Sequence, residues 1–133
     1  MSTKDLGDKG EDLACEYLVK NGYKILGRNY RINFGEIDII AKKRGLFAGK
    51  AIHFVEVKTL SGNDNIYPEE HVDRRKQIKL RQLAEIWLSK NPSTTLGTGK
   101  YPQDIPYQID IVAISIINNK PGIKFFENVV SDK

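Results

Sequence analysis

The sequence predicts an α/β fold: a single mixed β-sheet flanked by helices, in the order α-β-β-β-α-β-(β). Three observations carry that prediction. Residues 5–21 and a second stretch from about 68 or 72 to 90 repeat apolar side chains at helical spacing. Between them lie three β-rich runs in succession, residues 23–32, 35–43 and 51–60. After the second helix comes the strongest strand pattern of the chain, residues 107–117. One sheet with helices packed on it buries all of this apolar surface together.

In the first helix Leu6, Leu13, Ala14, Tyr17 and Leu18 share one arc, and Asn21-Gly22 supplies the stop. The first strand has Ile25 and Tyr30 as apolar markers. The second and third are joined by Arg44-Gly45-Leu46-Phe47-Ala48-Gly49-Lys50, whose two glycines suit a turn. Ser61-Gly62-Asn63-Asp64-Asn65 is a loop by composition. The second helix carries Val72, Leu80, Leu83 and Trp87 on its inner face, Trp87 as core, and ends at Asn91-Pro92. Residues 93–106, with two glycines, two prolines and three threonines, form an excursion. Ile109, Ile111, Val112, Ile114, Ile116 and Ile117 define the fourth strand; residues 118–122 turn the chain and residues 123–130 add a short last strand.

The chain of 133 residues fits one domain, 1–133, able to bury roughly two-thirds of its unfolded surface. Its 40% hydrophobic and 29% charged residues are ordinary for a globular protein. The lone Cys15 excludes an internal disulfide and fits a reducing compartment. The N-terminus has no apolar signal core, and no apolar run approaches the ~20 residues of a membrane span, so a cytoplasmic protein is expected. The net charge of +4 is compatible with a polyanionic partner but is a weak signal alone.

The chemistry is concentrated in Gly35-Glu36-Ile37-Asp38 and Glu56-Val57-Lys58. Charges inside strands are costly unless partnered. A hairpin centred on the glycine-flanked turn sets Ile40 opposite Phe54, Asp38 opposite Glu56 and Glu36 opposite Lys58. Strict alternation then puts all six side chains on one face. Carboxylates on neighbouring strands, ~4.8 Å apart, can share a divalent cation. Lys58 is placed to reach an attacking water or a phosphate. Glu11 sits at the edge of the first helix's apolar arc, where it can lean over the sheet. Lys76 lies mid-stripe on the second helix, where an ammonium needs an anion. Asp38, Glu56 and Glu36 are therefore the candidate metal ligands, and Mg²⁺ or Mn²⁺ the expected cofactor.

Those segments, with Phe54-Val55 before Glu56, Lys76, Gly10-Glu11, Gly22-Tyr23 and Asn29-Tyr30-Arg31, resemble the YraN family of small bacterial proteins over nearly the whole chain. That family is similar to archaeal Holliday-junction resolvases and to the PD-(D/E)XK, or restriction-endonuclease-like, nuclease core. The resemblance implies Asp38 and Glu56 as metal ligands, Lys58 as catalytic lysine and Glu11 as auxiliary acid. The activity it implies is a metal-dependent endonuclease on DNA, with branched or junction DNA favoured by analogy; symmetric cutting of a junction calls for a homodimer. The chain departs from the family where Gln108 stands two residues before Asp110 in place of the usual arginine, and in the length of the segments 44–50 and 93–106.

Arg28, Arg31, Arg74, Arg75 and Lys76 are candidate nucleic-acid contacts; Arg74 and Arg75, with Lys79 and Arg81, equally describe a solvated helix face. Asp110 reads as structural, His53 as packing or surface on the face opposite Glu56, and His71 as one of a solvated group. The competing function is a non-catalytic nucleic-acid or protein adaptor that keeps the nuclease scaffold, and Gln108 favours it.

Overall fold

The arc of Leu13, Ala14, Tyr17 and Leu18 forms helix α1 (Thr3–Lys20). Gly22, with φ of +88°, reverses the chain into β1 (Tyr23–Ile32). Strands β2 (Gly35–Lys43) and β3 (Ile52–Ser61), helix α2 (Arg74–Lys90), and strands β4 (Tyr107–Ile117) and β5 (Lys120–Phe126) follow. The computed structural model describes residues 3–46, 48–61, 73–91, 105–117 and 120–129. Pro68 and Val72, the two expected starts of the second helix, lie outside them, as do His71, Phe47, the loop at 62–65 and most of the 93–106 excursion.

The five strands lie side by side in chain order, β1-β2-β3-β4-β5. β3 and β4 are parallel and connected through α2; the other pairs are antiparallel. The sheet is therefore mixed, as the order of elements predicts. In a regular strand alternate residues face opposite sides. Accordingly Ile52, Phe54, Ile109 and Ile111 pack against Leu80, Leu83, Ala84, Trp87 and Leu88 of α2. Their neighbours Val55, Val112 and Ile114, with Ile39 and Ala41, pack against Ala14 and Leu18 of α1. Phe54 is buried edge-on to Trp87, ring centroids 5.8 Å apart. Burying a side chain of this size stabilises the fold by about 1.5–3 kcal/mol. Among the described residues no helix is long and apolar enough to cross a membrane.

Two boundaries differ from expectation. The described helix α2 begins at Arg74, because the Asp73 carboxylate accepts a hydrogen bond from the Lys76 N–H at 2.8 Å and caps it. Strand β5 starts at Lys120 rather than 123: Pro121 and Gly122, expected in the turn, pair with Ile116 and Ser115. A proline is tolerated there because β5 is an edge strand.

Candidate active site

The predicted β2–β3 register holds, with Ile40 opposite Phe54 and Ile39 opposite Val55. Strict alternation does not. Ile39 and Ala41 belong to the cluster under α1, whereas Ile37 packs with Ile40 under α2. β2 thus changes facing between Ile37 and Ile39, at Asp38. Asn29 on β1 has a φ of +53°, and its neighbours Arg28 and Tyr30 pair with Ile39 and Ile37, so β1 is irregular at the same level. The Asp38 carboxylate reaches β3 here: Oδ2 accepts from the Val57 N–H at 2.8 Å.

Asp38 is consequently placed between two hollows. On one side it lines a cleft of about 440 Å³ with Glu11, Arg31, Glu36, Val57 and Thr59. On the other it lies near Glu56 and Leu80. Burial raises the Asp38 pKa to about 6, and the negative charges of Glu56, Glu11 and Glu36 add to the rise; the Val57 hydrogen bond opposes it.

Glu56 stands on the α2 side. One oxygen, Oε1, is ion-paired with Lys76 Nζ. The other, Oε2, is buried with no hydrogen-bond partner among the described residues. Lys58 lies beside Lys76, and its pKa is lowered by burial and by that neighbouring ammonium, against the pull of Glu56 and Asp38. Burial works against the charge of Lys76 as well, but the Glu56 carboxylate outweighs it and its pKa is raised. The anion that a mid-stripe lysine requires is therefore Glu56.

Helix α1 supplies Glu11, whose side chain is only 12% exposed. Its approach depends on Gly10: a Cβ there would overlap the Thr59 hydroxyl of β3. Glu11 accepts from Arg28 at 3.4 Å, and Arg28 also bonds Asp12 at 2.7 Å.

One expectation needs correction. Glu36 does not face Lys58: it is exposed and pairs with Arg31 at 2.9 Å, because Arg31 is its neighbour across β1–β2. Arg28 and Arg31 are correspondingly engaged by carboxylates of the chain itself. Nor do Asp38, Glu56 and Glu36 bring three ligand atoms within 4.8 Å of one another. Lys76 holds one Glu56 oxygen, and β2 turns at Asp38 between the two faces. The donor set is nevertheless all oxygen, a buried oxygen of Glu56 is unpartnered, and Asp38 sits among carboxylates; these features fit a hard divalent cation. Arg74 and Arg75 are exposed on the first turn of α2.

Sequence reasoning missed a second polar cluster. His53 and Asp110, 5% and 0% exposed, pair at 2.6 Å between Nδ1 and Oδ2. Gln108 Nε2 donates to Asp110 Oδ1 at 2.8 Å, so the residue in place of the expected arginine braces this aspartate. The signal was the same-face placement of His53 on β3 and Asp110 on β4, readable only with the parallel register that sets His53 beside Gln108. His53 is neither packing nor surface in the ordinary sense but half of a buried polar pair. Cys15 is half-buried, and burial raises its thiol pKa, which favours the protonated form.

Residues 10–114 match the family model described as "Uncharacterised protein family UPF0102". The chain is 46% identical over 121 residues to a UPF0102 protein of Thermotoga petrophila, covering 91% of this chain and 93% of that one. It is 38% identical over 122 residues to one from Dictyoglomus thermophilum, 92% of this chain and 90% of the relative. A relative from Fusobacterium nucleatum is 48% identical over 88 residues, 66% of this chain and 70% of its own. Among solved structures, Pyrococcus furiosus SfsA in complex with Ca²⁺ aligns with 95% of this chain at a TM-score of 0.39 and 13% identity; the chain spans 64% of that protein's length.

Proposed function

This chain belongs to the uncharacterised protein family UPF0102, the YraN family, and we propose that it is a metal-dependent endonuclease acting on DNA, with branched DNA the favoured substrate. The single observation that carries the reading is the Glu56 side chain: one oxygen buried and unpartnered, the other on Lys76, with Lys58 and Asp38 adjacent.

Asp38 and Glu56 would hold a Mg²⁺ or Mn²⁺ ion. When bound, that ion polarises a phosphoryl oxygen and acidifies a coordinated water. The chain's own groups do the rest. The Val57 N–H fixes the Asp38 carboxylate where β2 changes facing. Lys58 Nζ presents a donor toward the attacking water or the charge that builds on phosphate. Lys76, ion-paired with one oxygen of Glu56, supplies a second positive charge beside it. Glu11 and Glu36 keep the cleft acidic on the α1 side. Arg74 and Arg75, exposed at the start of α2, contact the phosphate backbone. A homodimer would present two such sites to the two strands of a junction.

Labelled four-way-junction, flap and linear DNA, incubated with Mg²⁺ or Mn²⁺ and separately with EDTA, tests this. Cleavage that EDTA abolishes supports the nuclease and ranks its substrates. DNA binding that neither metal nor EDTA alters, without cutting, selects the adaptor. The ion pair between Lys76 and Glu56 is the observation favouring that second reading, since an internal ammonium already neutralises the carboxylate.

A further inference from the structure

A second group of metal-ligand side chains lies away from Asp38 and Glu56. His53 near the start of β3, Asp110 near the start of β4 and Glu127 just beyond β5 bring one ligand atom each within 4.8 Å of one another. His53 and Asp110 are buried, and Glu127 is exposed. We propose that His53, Asp110 and Glu127 form a separate site for a borderline transition-metal dication of the Zn²⁺ class, which clips the segment after β5 onto the sheet.

Donor chemistry sets the class of ion. One imidazole nitrogen with two carboxylates suits Zn²⁺ and its neighbours, whereas Mg²⁺ prefers oxygen throughout. The spacing also fits. Ligands about 2.0–2.2 Å from one tetrahedral or octahedral ion stand roughly 2.8–3.6 Å apart. His53 Nδ1 and Asp110 Oδ2, now 2.6 Å apart, need only a small side-chain rotation to admit an ion between them.

The surroundings are those of a held ligand set. Asp110 Oδ1 accepts from Gln108 Nε2 and from the Asn128 N–H, both at 2.8 Å, which fixes its carboxylate and leaves Oδ2 toward His53. Such bracing of a ligating carboxylate is typical of metal sites. Asn128 adopts a φ of +54°, a left-handed bend that asparagine tolerates, directly after Glu127. Val129 N–H then donates to Ile109 O at 2.8 Å, so the segment is tied back to β4 on both sides of the bend. Tyr23 lies edge-on to His53 at 5.0 Å between ring centroids and donates its hydroxyl to Glu127 Oε1 at 3.4 Å. Tyr23 is buried and covers one side of the group, whereas Glu127 on the other is exposed. Two carboxylates gathered around a single imidazole leave a negative charge that a dication neutralises.

The test uses the full chain carrying Asp38→Asn and Glu56→Gln, so its outcome is independent of the nuclease reading. Calorimetric titration with Zn²⁺ in excess Mg²⁺ is expected to show one ion bound per chain and a raised melting temperature. Co²⁺ in its place should give visible absorption bands of a nitrogen–oxygen site. Glu127→Gln, an exposed change that leaves the fold intact, is expected to weaken Zn²⁺ binding at least about tenfold and to alter those bands. No Zn²⁺ binding, or binding and a Co²⁺ spectrum unchanged by Glu127→Gln, would overturn the proposal and leave His53–Asp110 as a metal-free hydrogen-bonded pair.

Discussion

Asp38 Oδ2 accepts a hydrogen bond from the backbone N–H of Val57 at 2.8 Å. An acid on β2 thereby borrows a ladder donor from β3 just beyond the last antiparallel pair, Ile39 with Val55. The carboxylate is held rigidly, is half-buried, and is surrounded by Glu56, Glu11 and Glu36. The contact favours the charged carboxylate, whereas burial and the neighbouring carboxylates oppose it at a cost in stability, and that cost can be measured.

The Asp38 pKa rises from 3.8 to about 6 on folding. The folded state therefore holds this proton more tightly than the unfolded chain does. Its contribution to stability is fully present below about pH 4 and is lost as pH rises through 6. Asp38→Asn keeps an oxygen for the Val57 N–H and removes the charge. In metal-free buffer at pH 7.5 the variant is expected to be more stable than wild type, on the order of 1–2 kcal/mol after allowing for solvent screening. Urea unfolding at pH 7.5 and pH 4 checks this: the gap should close at pH 4, and a gap independent of pH contradicts it.

Lys76 competes with any cation for Glu56 Oε1. Lys76→Gln removes the competitor, and Mg²⁺ binding measured by calorimetry should tighten several-fold, on the order of 1 kcal/mol. Cleavage should nonetheless slow, since the positive charge beside the phosphate is gone. Mg²⁺ binding that weakens in the variant would mean that Lys76 organises the ligands instead of competing with the ion.

Gly10 lets α1 approach β3, because a Cβ there would overlap the Thr59 hydroxyl. Gly10→Ala gains up to about 1 kcal/mol of helix propensity. It costs about 1–3 kcal/mol through overpacking. A net loss in denaturant unfolding is expected, together with displacement of Glu11. Adding Thr59→Ala should recover most of it; if the double variant is no better than Gly10→Ala, the contact is not the cause.

Arg74 and Arg75 are exposed on the first turn of α2. If both grip phosphates, changing both to alanine should weaken DNA binding uniformly across sequences. The slope of log affinity against log salt should then fall by about 2. An unchanged slope places them on a merely solvated face.

Much of the scaffold was legible because apolar periodicity reports burial directly. The spacing of Ile40 and Phe54 around the 44–50 turn gave the register that the structure has. The extension of that register by strict alternation failed at Asp38, because β2 changes facing there while Asn29 of β1 takes a positive φ, and neither leaves a mark in hydropathy. The same misreading set Glu36 against Lys58, whereas the neighbouring β1 supplies Arg31 as its partner. Lys76 announced its need for an anion by standing mid-stripe, and Glu56 meets it. His53 and Asp110 gave no such warning. Their pairing depends on a parallel register between strands joined through α2, which local spacing does not encode.

The most direct test is single-turnover cleavage of a labelled DNA junction in Mn²⁺ by wild type and Asp38→Asn. Wild type is predicted to cut, and the variant to be slower by about 100-fold or more while retaining its fold and its DNA binding. Equal rates in the two proteins, with EDTA stopping neither, would contradict the assignment of Asp38 and Glu56 as the centre of a nuclease.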